Sequence, residues 1–391
     1  MNPPVSNIRV VVLLLCVVLL AGVGILMLAS TGAYATDGTA EGLGALKKQS
    51  IFIGLGVVLC FAVARIDYHI LEKGFYFIAA TALVALALCY EPHIGVERNG
   101  ESRWVNLRII GMTFMQIQPS ELGKFAVVVF LAWWYSRHPL RVGEFWKGFV
   151  QPWCVLAIPI LLIGGERDLG TAALVAAFSL LVMFMVGVRL LYLGGVAALG
   201  LAGLGLAIRL IPERMDRLVA FMNLEAHRQG EGLQQWRAQI ALGSGGLTGR
   251  GYGNGVEKMF YMPYAHTDFI FPMIGEEFGL VGSLAVILIF IGLVTCGLLI
   301  AGAARDAFGR ILGGGIVALI ACQAIVNLGV TTALLPNKGL PLPFISYGGS
   351  NLLVFFVMIG ILINIHSQGL DQEHKKNNKT TKKHKENNKQ P

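Results

Sequence analysis

Asp268 sits in the stretch of this chain that carries the most chemistry. The run Tyr261-Met-Pro-Tyr-Ala-His-Thr-Asp-Phe-Ile-Phe271 places one carboxylate beside His266, with Arg250 and Lys258 upstream, just before a long apolar segment. A charge near hydrocarbon is costly and marks a functional position by default. Two roles suit it. A helix N-terminus and nearby cations favour the ionised form, which fits metal binding or electrostatic stabilisation. Desolvation favours the neutral form, which fits a general base. The structural alternative is an N-cap for the helix that follows.

Other polar groups gather near it. Glu276 and Glu277 are adjacent, so on a helix they diverge by about 100° and are not expected to face one ligand. Asp268 and Glu276 lie about 12 Å apart on a straight helix, too far for a carboxylate pair unless Pro272 or Gly275 breaks it. Gly249-Arg-Gly-Tyr-Gly-Asn-Gly255 follows no strand and lacks dinucleotide spacing. It is either a phosphate-approaching nest of N–H groups or a flexible turn. Upstream, Arg98-Asn-Gly-Glu-Ser-Arg-Trp104 is polar and aromatic. Glu121 and Lys124 are three apart and pair on one helix face, either holding a bundle together or lining a cavity. Asp168 precedes an apolar run and reads as a cap. The segment from Leu334 to Ser350 holds three prolines, so it is not one continuous helix. Non-helical backbone at membrane depth needs a protein-lined or wet cavity, and Lys338 there is a natural anion contact.

The elements that position these residues are membrane helices. Of 391 residues 55% are hydrophobic and only 14% charged, well below the charge of a soluble domain. Apolar runs of about 20 residues recur, long enough to cross a bilayer. The expected fold is an all-α integral membrane protein with ten transmembrane helices, at roughly 9–31, 50–66, 72–90, 120–136, 148–164, 169–187, 190–210, 269–301, 310–332 and 346–366. Alternate short loops carry Arg65 and Lys73, then Arg137, Arg141 and Lys147, then Arg189, then Arg305 and Arg310. By the positive-inside rule these loops and both termini are cytoplasmic. The loops 91–119 and 333–345, and the large one at 211–268 between helices 7 and 8, are then extracytoplasmic. Within the last, Gly232–Leu242 reads as a helix lying in the interface, with Leu233, Trp236 and Ile240 on one face, stopped by Gly243-Ser-Gly-Gly. Residues 1–367 form the membrane domain, and 368–391 a basic, disordered cytoplasmic tail. The net charge of +8 is largely that tail, so it points to topology or anionic lipid rather than nucleic acid. The six cysteines all fall in apolar runs without pairing motifs and read as small buried hydrophobes.

No GxxxxGK[ST] loop occurs, and no large cytoplasmic domain is available for a nucleotide. Chemistry on the outer face must then draw on the substrate itself or on a gradient. An activated lipid-pyrophosphate sugar meets that need.

Gln118-Pro-Ser-Glu121, Asp168-Leu-Gly-Thr171, Ile240-Ala-Leu-Gly-Ser-Gly-Gly-Leu247, His266-Thr-Asp-Phe-Ile-Phe271, Gly275-Glu-Glu-Phe-Gly-Leu280 and Leu342-Pro-Phe-Ile-Ser-Tyr-Gly-Gly-Ser350 occur in this order. Together they resemble the SEDS family (shape, elongation, division and sporulation), over about residues 10–367. Pro336-Asn-Lys-Gly339 is more similar to the family's division members than to its elongation members. The resemblance implies a ten-span peptidoglycan glycosyltransferase of the cytoplasmic (inner) membrane. Such an enzyme polymerises lipid II at the outer face and releases undecaprenyl pyrophosphate. It acts with a class B penicillin-binding protein (FtsI-like) and other divisome proteins. Asp268 matches the family's essential aspartate, as catalytic base or as ligand of a divalent cation (Mg or Mn). Trp104 matches an essential tryptophan. Arg103, Glu121, Lys124, Arg250, Lys258, His266, Lys338 and Ser346 complete the substrate-binding candidates. Arg167 stands where a proline usually precedes Asp168, and Asn351 where a second serine is common, which weakens a role for Asp168. A lipid II flippase, an elongation polymerase and a membrane scaffold remain the rival readings.

Overall fold

A computed structural model of the chain describes residues 4–32, 41–91, 95–98, 101–106, 116–210, 212–260 and 267–387. Fourteen α-helices and three short strands are found among them. In chain order they are α1 (Pro4–Gly32), α2 (Glu41–Ala64), α3 (His69–Lys73), α4 (Phe75–Leu88), β1 (Gly95–Arg98), β2 (Glu101–Asn106), β3 (Gln116–Ile117), α5 (Pro119–Arg137), α6 (Gln151–Gly165), α7 (Leu169–Val186), α8 (Leu190–Leu210), α9 (Pro212–Met222), α10 (Leu233–Gly245), α11 (Glu257–Phe260), α12 (Ile270–Gly302), α13 (Ala307–Thr331) and α14 (Gly349–Asn387). A helix lies on each of the ten apolar stretches. Eight helices are long and apolar enough to cross a membrane, and α4 is a shorter apolar one.

Three expectations change. The chain is not purely helical, since β1, β2 and β3 form an antiparallel sheet in the polar segment before α5. Polar chain outside hydrocarbon is free to pair strands, and Val105 of β2 is buried there. α14 continues to Asn387 through the residues expected to be disordered. Lys, Glu and Gln are good helix formers, and the preceding apolar turns supply the nucleus. The third change concerns α12, which breaks neither at Pro272 nor at Gly275. The break is at Gly279, whose φ of 68° only glycine adopts readily.

Backbone groups freed at that break find partners outside the helix. The N–H of Leu280 donates to Gly246 O at 2.9 Å and that of Val281 to Leu247 O at 3.1 Å. These carbonyls follow α10, which packs on α12 and α13. Its buried face is Gln235, Ala238, Ala241 and Gly245, not the Leu233, Trp236 and Ile240 face expected to lie in the interface. Small residues win because the two helices nearly touch. A Cβ on Gly245 would overlap the carbonyl of Gly275.

α13 is the central post, packed against α5, α7 and α12, with Gly313, Gly314 and Gly315 all buried. A Cβ on Gly315 would press on Val128 of α5 at 2.9 Å. The α5–α13–α14 seam encloses one charge network. Lys124 Nζ donates to Glu121 Oε1 at 2.8 Å and to Gln323 Oε1 at 2.7 Å. Asn351 Nδ2 donates to Glu121 Oε2 at 2.9 Å, and Gln323 Nε2 to Pro341 O at 2.9 Å. Glu121 is 3% exposed and Lys124 1%. Asn351, in the position where serine is common, supplies an amide donor that reaches the carboxylate.

Removing one member of a buried pair strands the other charge, at a cost of about 3–5 kcal/mol. Lys124→Met is therefore expected to lower the thermal unfolding midpoint in detergent strongly. Glu121→Gln combined with Lys124→Met is expected to recover much of the loss. A double variant no better than Lys124→Met would show that the pair does not act as a unit.

Candidate functional site

The site is assembled where the turn before α12 meets the segment after α13. Asn327, on the inner face of α13, donates from Nδ2 to Asp268 O at 2.8 Å and to Leu340 O at 2.6 Å. Ser346 Oγ donates to Thr267 O at 2.5 Å and accepts from the N–H of Leu342 at 2.8 Å. The backbone on both sides of the Asp268 peptide is thus pinned to the proline-rich segment. Gly339 lies against the carboxylate, since a Cβ there would overlap Asp268 Oδ2. The N-cap of α12 is Phe269, without a side-chain capping bond. Asp268 is partly exposed.

The residue before Gly339 brings the second half of the site. Lys338 Nζ lies 3.8 Å from Asp168 Oδ1, and Arg103 Nε lies 3.4 Å from Asp168 Oδ2. Asp168 also caps α7, accepting from Thr171 N at 3.0 Å and Thr171 Oγ1 at 2.7 Å. Its side chain is 2% exposed, against 15% for Arg103 and 21% for Lys338. The cap reading of Asp168 was therefore correct and incomplete, because nothing in the sequence spacing links positions 103, 168 and 338. Trp104 follows Arg103 in β2 and pairs in register with Val96. The pairing shifts register between Val96 and Glu97, so Arg103 stands at a bulge beside Trp104.

The remaining candidates are engaged elsewhere. Lys258 is enclosed, donating to the Ser30 hydroxyl and the Glu277 carboxylate, and to Gly253 O at 2.9 Å. Arg250 is more open and lies 3.7 Å from Glu276 Oε1. Glu121 and Lys124 form the interior network described above. His266 lies outside the described residues.

The glycine repeat is neither of the two things expected of it. Its N–H groups do cradle an anion, but the anion is the protein's own. Glu277 Oε2 accepts from Gly253 N at 3.0 Å, and Glu276 Oε1 accepts from Val256 N at 2.8 Å. Both carboxylates flank Gly255, where a Cβ would meet Glu276 Oε2 at 3.0 Å and Glu277 Oε1 at 3.1 Å. The expectation that these two side chains cannot address one target is thereby corrected. The loop wraps around the helix start, and two long side chains converge on it despite their 100° divergence.

One carboxyl was overlooked. Glu166, in the turn between α6 and α7, is 3% exposed, and among the described residues only the Cys89 thiol is placed to donate to its carboxyl. Burial pushes its pKa from 4.5 to about 8, with the Cys89 thiol and Arg103 opposing the rise and Asp168 adding to it. Arg167 beside it takes a φ of 64°, which a proline ring cannot adopt. This turn therefore has its own backbone. Among the described residues no group of three or more His, Cys, Asp or Glu is placed to hold a metal.

Residues 11–370 match the model of the FtsW/RodA/SpoVE family, described as cell cycle protein. A probable peptidoglycan glycosyltransferase FtsW of Geobacter metallireducens is 38% identical over 91% of this chain and 94% of its own length. Its counterpart from Trichlorobacter lovleyi is also 38% identical, over 92% and 93%. A chain in the solved structure of a peptidoglycan synthase complex, studied for its coordination of polymerization and crosslinking, superposes with a TM-score of 0.75. It is 26% identical, over 91% of this chain and 97% of that one.

A raised folded-state pKa makes protonated Glu166 a source of stability that is complete below about pH 4.5 and lost as pH rises through about 8. Glu166→Gln removes the titrating proton and keeps the shape. Between those limits the unfolding midpoint of the variant should fall less with pH than that of the wild type. Parallel midpoint-versus-pH curves would show that Glu166 is ionised in the folded chain.

Proposed function

The chain belongs to the FtsW/RodA/SpoVE cell cycle protein family, and from that premise we propose that it is a peptidoglycan glycosyltransferase that polymerises lipid II, with Asp268 as its catalytic carboxylate. The observation that carries this reading is the disposition of acids. Glu121, Glu276 and Glu277 are committed to structural partners. What sets Asp268 apart is its place: it is partly exposed, its backbone is tied to α13, Gly339 lies against its carboxylate, and Lys338 and Arg103 gather beside that segment. In this reading ten helices cross the inner membrane, both termini are cytoplasmic, and the site opens on the outer face.

The chemistry is a direct displacement. The 4-hydroxyl of the acceptor sugar attacks the donor's anomeric carbon while the bond to the pyrophosphate oxygen breaks, inverting that carbon. Asp268 takes the hydroxyl proton, which makes the oxygen nucleophilic as the new bond forms. Negative charge builds on the leaving undecaprenyl pyrophosphate, where Lys338 and Arg103 are placed to meet it. Because the donors are anchored through Asp168 before substrate arrives, little reorganisation is needed in the transition state. A divalent cation also fits this donor set, since Mg²⁺ commonly takes one protein carboxylate and completes its shell with substrate phosphate oxygens and water. Asp268 would hold it, and it would supply further charge neutralisation at the pyrophosphate.

A class B penicillin-binding protein is the proposed partner, since the structural relative works within a peptidoglycan synthase complex. A role in division follows from the FtsW relatives. The transport reading drew on Glu121 and Lys124 as cavity-lining charges, and both are enclosed in the helix seam.

The test is glycan polymerisation from purified lipid II by the full chain with its partner. Wild type is expected to polymerise. Asp268→Asn is expected to fall by about 10²-fold or more, the usual worth of a positioned acid–base group. Chelation of divalent cations should abolish activity if Asp268 is a metal ligand and spare it if Asp268 is only a base. Polymerisation by Asp268→Ala at the wild-type rate would remove the assignment.

A further inference from the structure

Asp168 touches more than a helix cap needs. Two bonds from Thr171 already satisfy the start of α7. The same carboxylate also meets Arg103 from β2 and Lys338 from the segment after α13, so three chain segments distant in sequence converge on one buried acid. Lys338 is held along its length as well as at its tip. Its stem passes over Gly170, where a Cβ would overlap the side-chain carbons. The next residue along, Gly339, rests on the Asp268 carboxylate. Asp168, Lys338, Gly339 and Asp268 therefore form one contiguous chain of contacts.

We propose that Asp168 is a positioning residue for glycosyl transfer: it holds Lys338 and Arg103 as a cation pair for the departing diphosphate, in fixed register with Asp268. This rests on the polymerase reading above and adds to it a residue that touches neither sugar nor proton. The physical logic is electrostatic. A lone lysine on a flexible stem loses rotamer entropy when it is ordered by substrate. Anchored on a buried carboxylate, it is ordered beforehand, and two cations on one acid keep a net positive charge for the diphosphate. Gly170 keeps the stem's path open, and Gly339 transmits its position to the backbone beside Asp268.

The experiment compares wild type, Asp168→Asn, Lys338→Met, their double variant and Thr171→Val, each as full chain with partner. It reads kcat and KM on lipid II, inhibition by the product undecaprenyl pyrophosphate, and the unfolding midpoint. Asp168→Asn is expected to lower kcat by about 10²-fold, the scale of a misplaced catalytic group, with a smaller change in KM. Product inhibition should weaken at least to the level of Lys338→Met, and the double variant should lose clearly less than the product of the two single losses, since only the Arg103 share then remains. Thr171→Val, which removes a capping bond but no cation, should keep near wild-type kcat. If Asp168→Asn fails to fold, Gly170→Ala replaces it, since it displaces the Lys338 stem while favouring the helix, and the same losses are expected. The proposal is overturned if Asp168→Asn or Gly170→Ala keeps wild-type kcat and product inhibition. It is overturned equally if the effects of Asp168→Asn and Lys338→Met multiply in the double variant. A wild type that does not polymerise, or an active Asp268→Ala, would instead bring down the underlying reading, and the two failures are distinguishable.

Discussion

The amide of Asn327 ties the carbonyl of Asp268 to that of Leu340, and the site depends on that pair of hydrogen bonds. Both carbonyls belong to irregular backbone, one in the turn before α12 and the other in the proline-rich segment before α14. Such backbone has no ladder of its own, and at membrane depth it is tolerated only where protein or water satisfies it. Asn327 sits on α13, the most central of the packed helices, so it brings the rigidity of that helix to two flexible segments. Ser346 completes the arrangement by binding Thr267 and Leu342.

Other acids in the chain have been committed to building. Glu277 accepts from an N–H of the glycine repeat and Glu276 from the N–H groups just after it, Lys258 closes over Glu277, and Glu121 and Lys124 lock the α5–α13–α14 seam. Each arrangement satisfies a charge that hydrocarbon would otherwise penalise. Together they explain why so polar a region can be so rigid. The glycine repeat is drawn around the start of α12, and the break at Gly279 is sealed by the carbonyls that follow α10. α10, the glycine loop and the first turns of α12 form a single block, with Asp268 at its edge.

The turn between α6 and α7 has a different character. It carries an acid pushed neutral by burial, Glu166, two residues from an acid held by two cations, Asp168. Environment alone separates them: Arg103 and Lys338 reach one carboxyl, and burial dominates at the other. Arg167 between them adopts a left-handed backbone that the more usual proline would forbid, so the departure at that position reshapes the turn without unseating Asp168.

Reading the chain alone determined what depends on local composition. Apolar runs of the right length coincide with helices, eight of them among the described residues long and apolar enough to cross a membrane, because transfer into hydrocarbon is a property of the run itself. Asp268 stood out for the same reason, as a charge beside such a run, and the ordered motifs resembled one family. Asn99-Gly100 is a hairpin signal in the sequence, though it stands in a chain whose composition reads as helical. What only the tertiary structure decided is which polar groups are already taken. Lys258 and Lys338 look alike in sequence, yet one is enclosed by Glu277 and the other reaches Asp168 beside the site. Glu276 and Glu277 look like a functional pair and are structural. Asp168 looks like a cap and also gathers two cations. Partnership between residues far apart in sequence has no local signature, because it is set by how the helices pack, and that packing alone separates the charges that build the protein from those left for its chemistry.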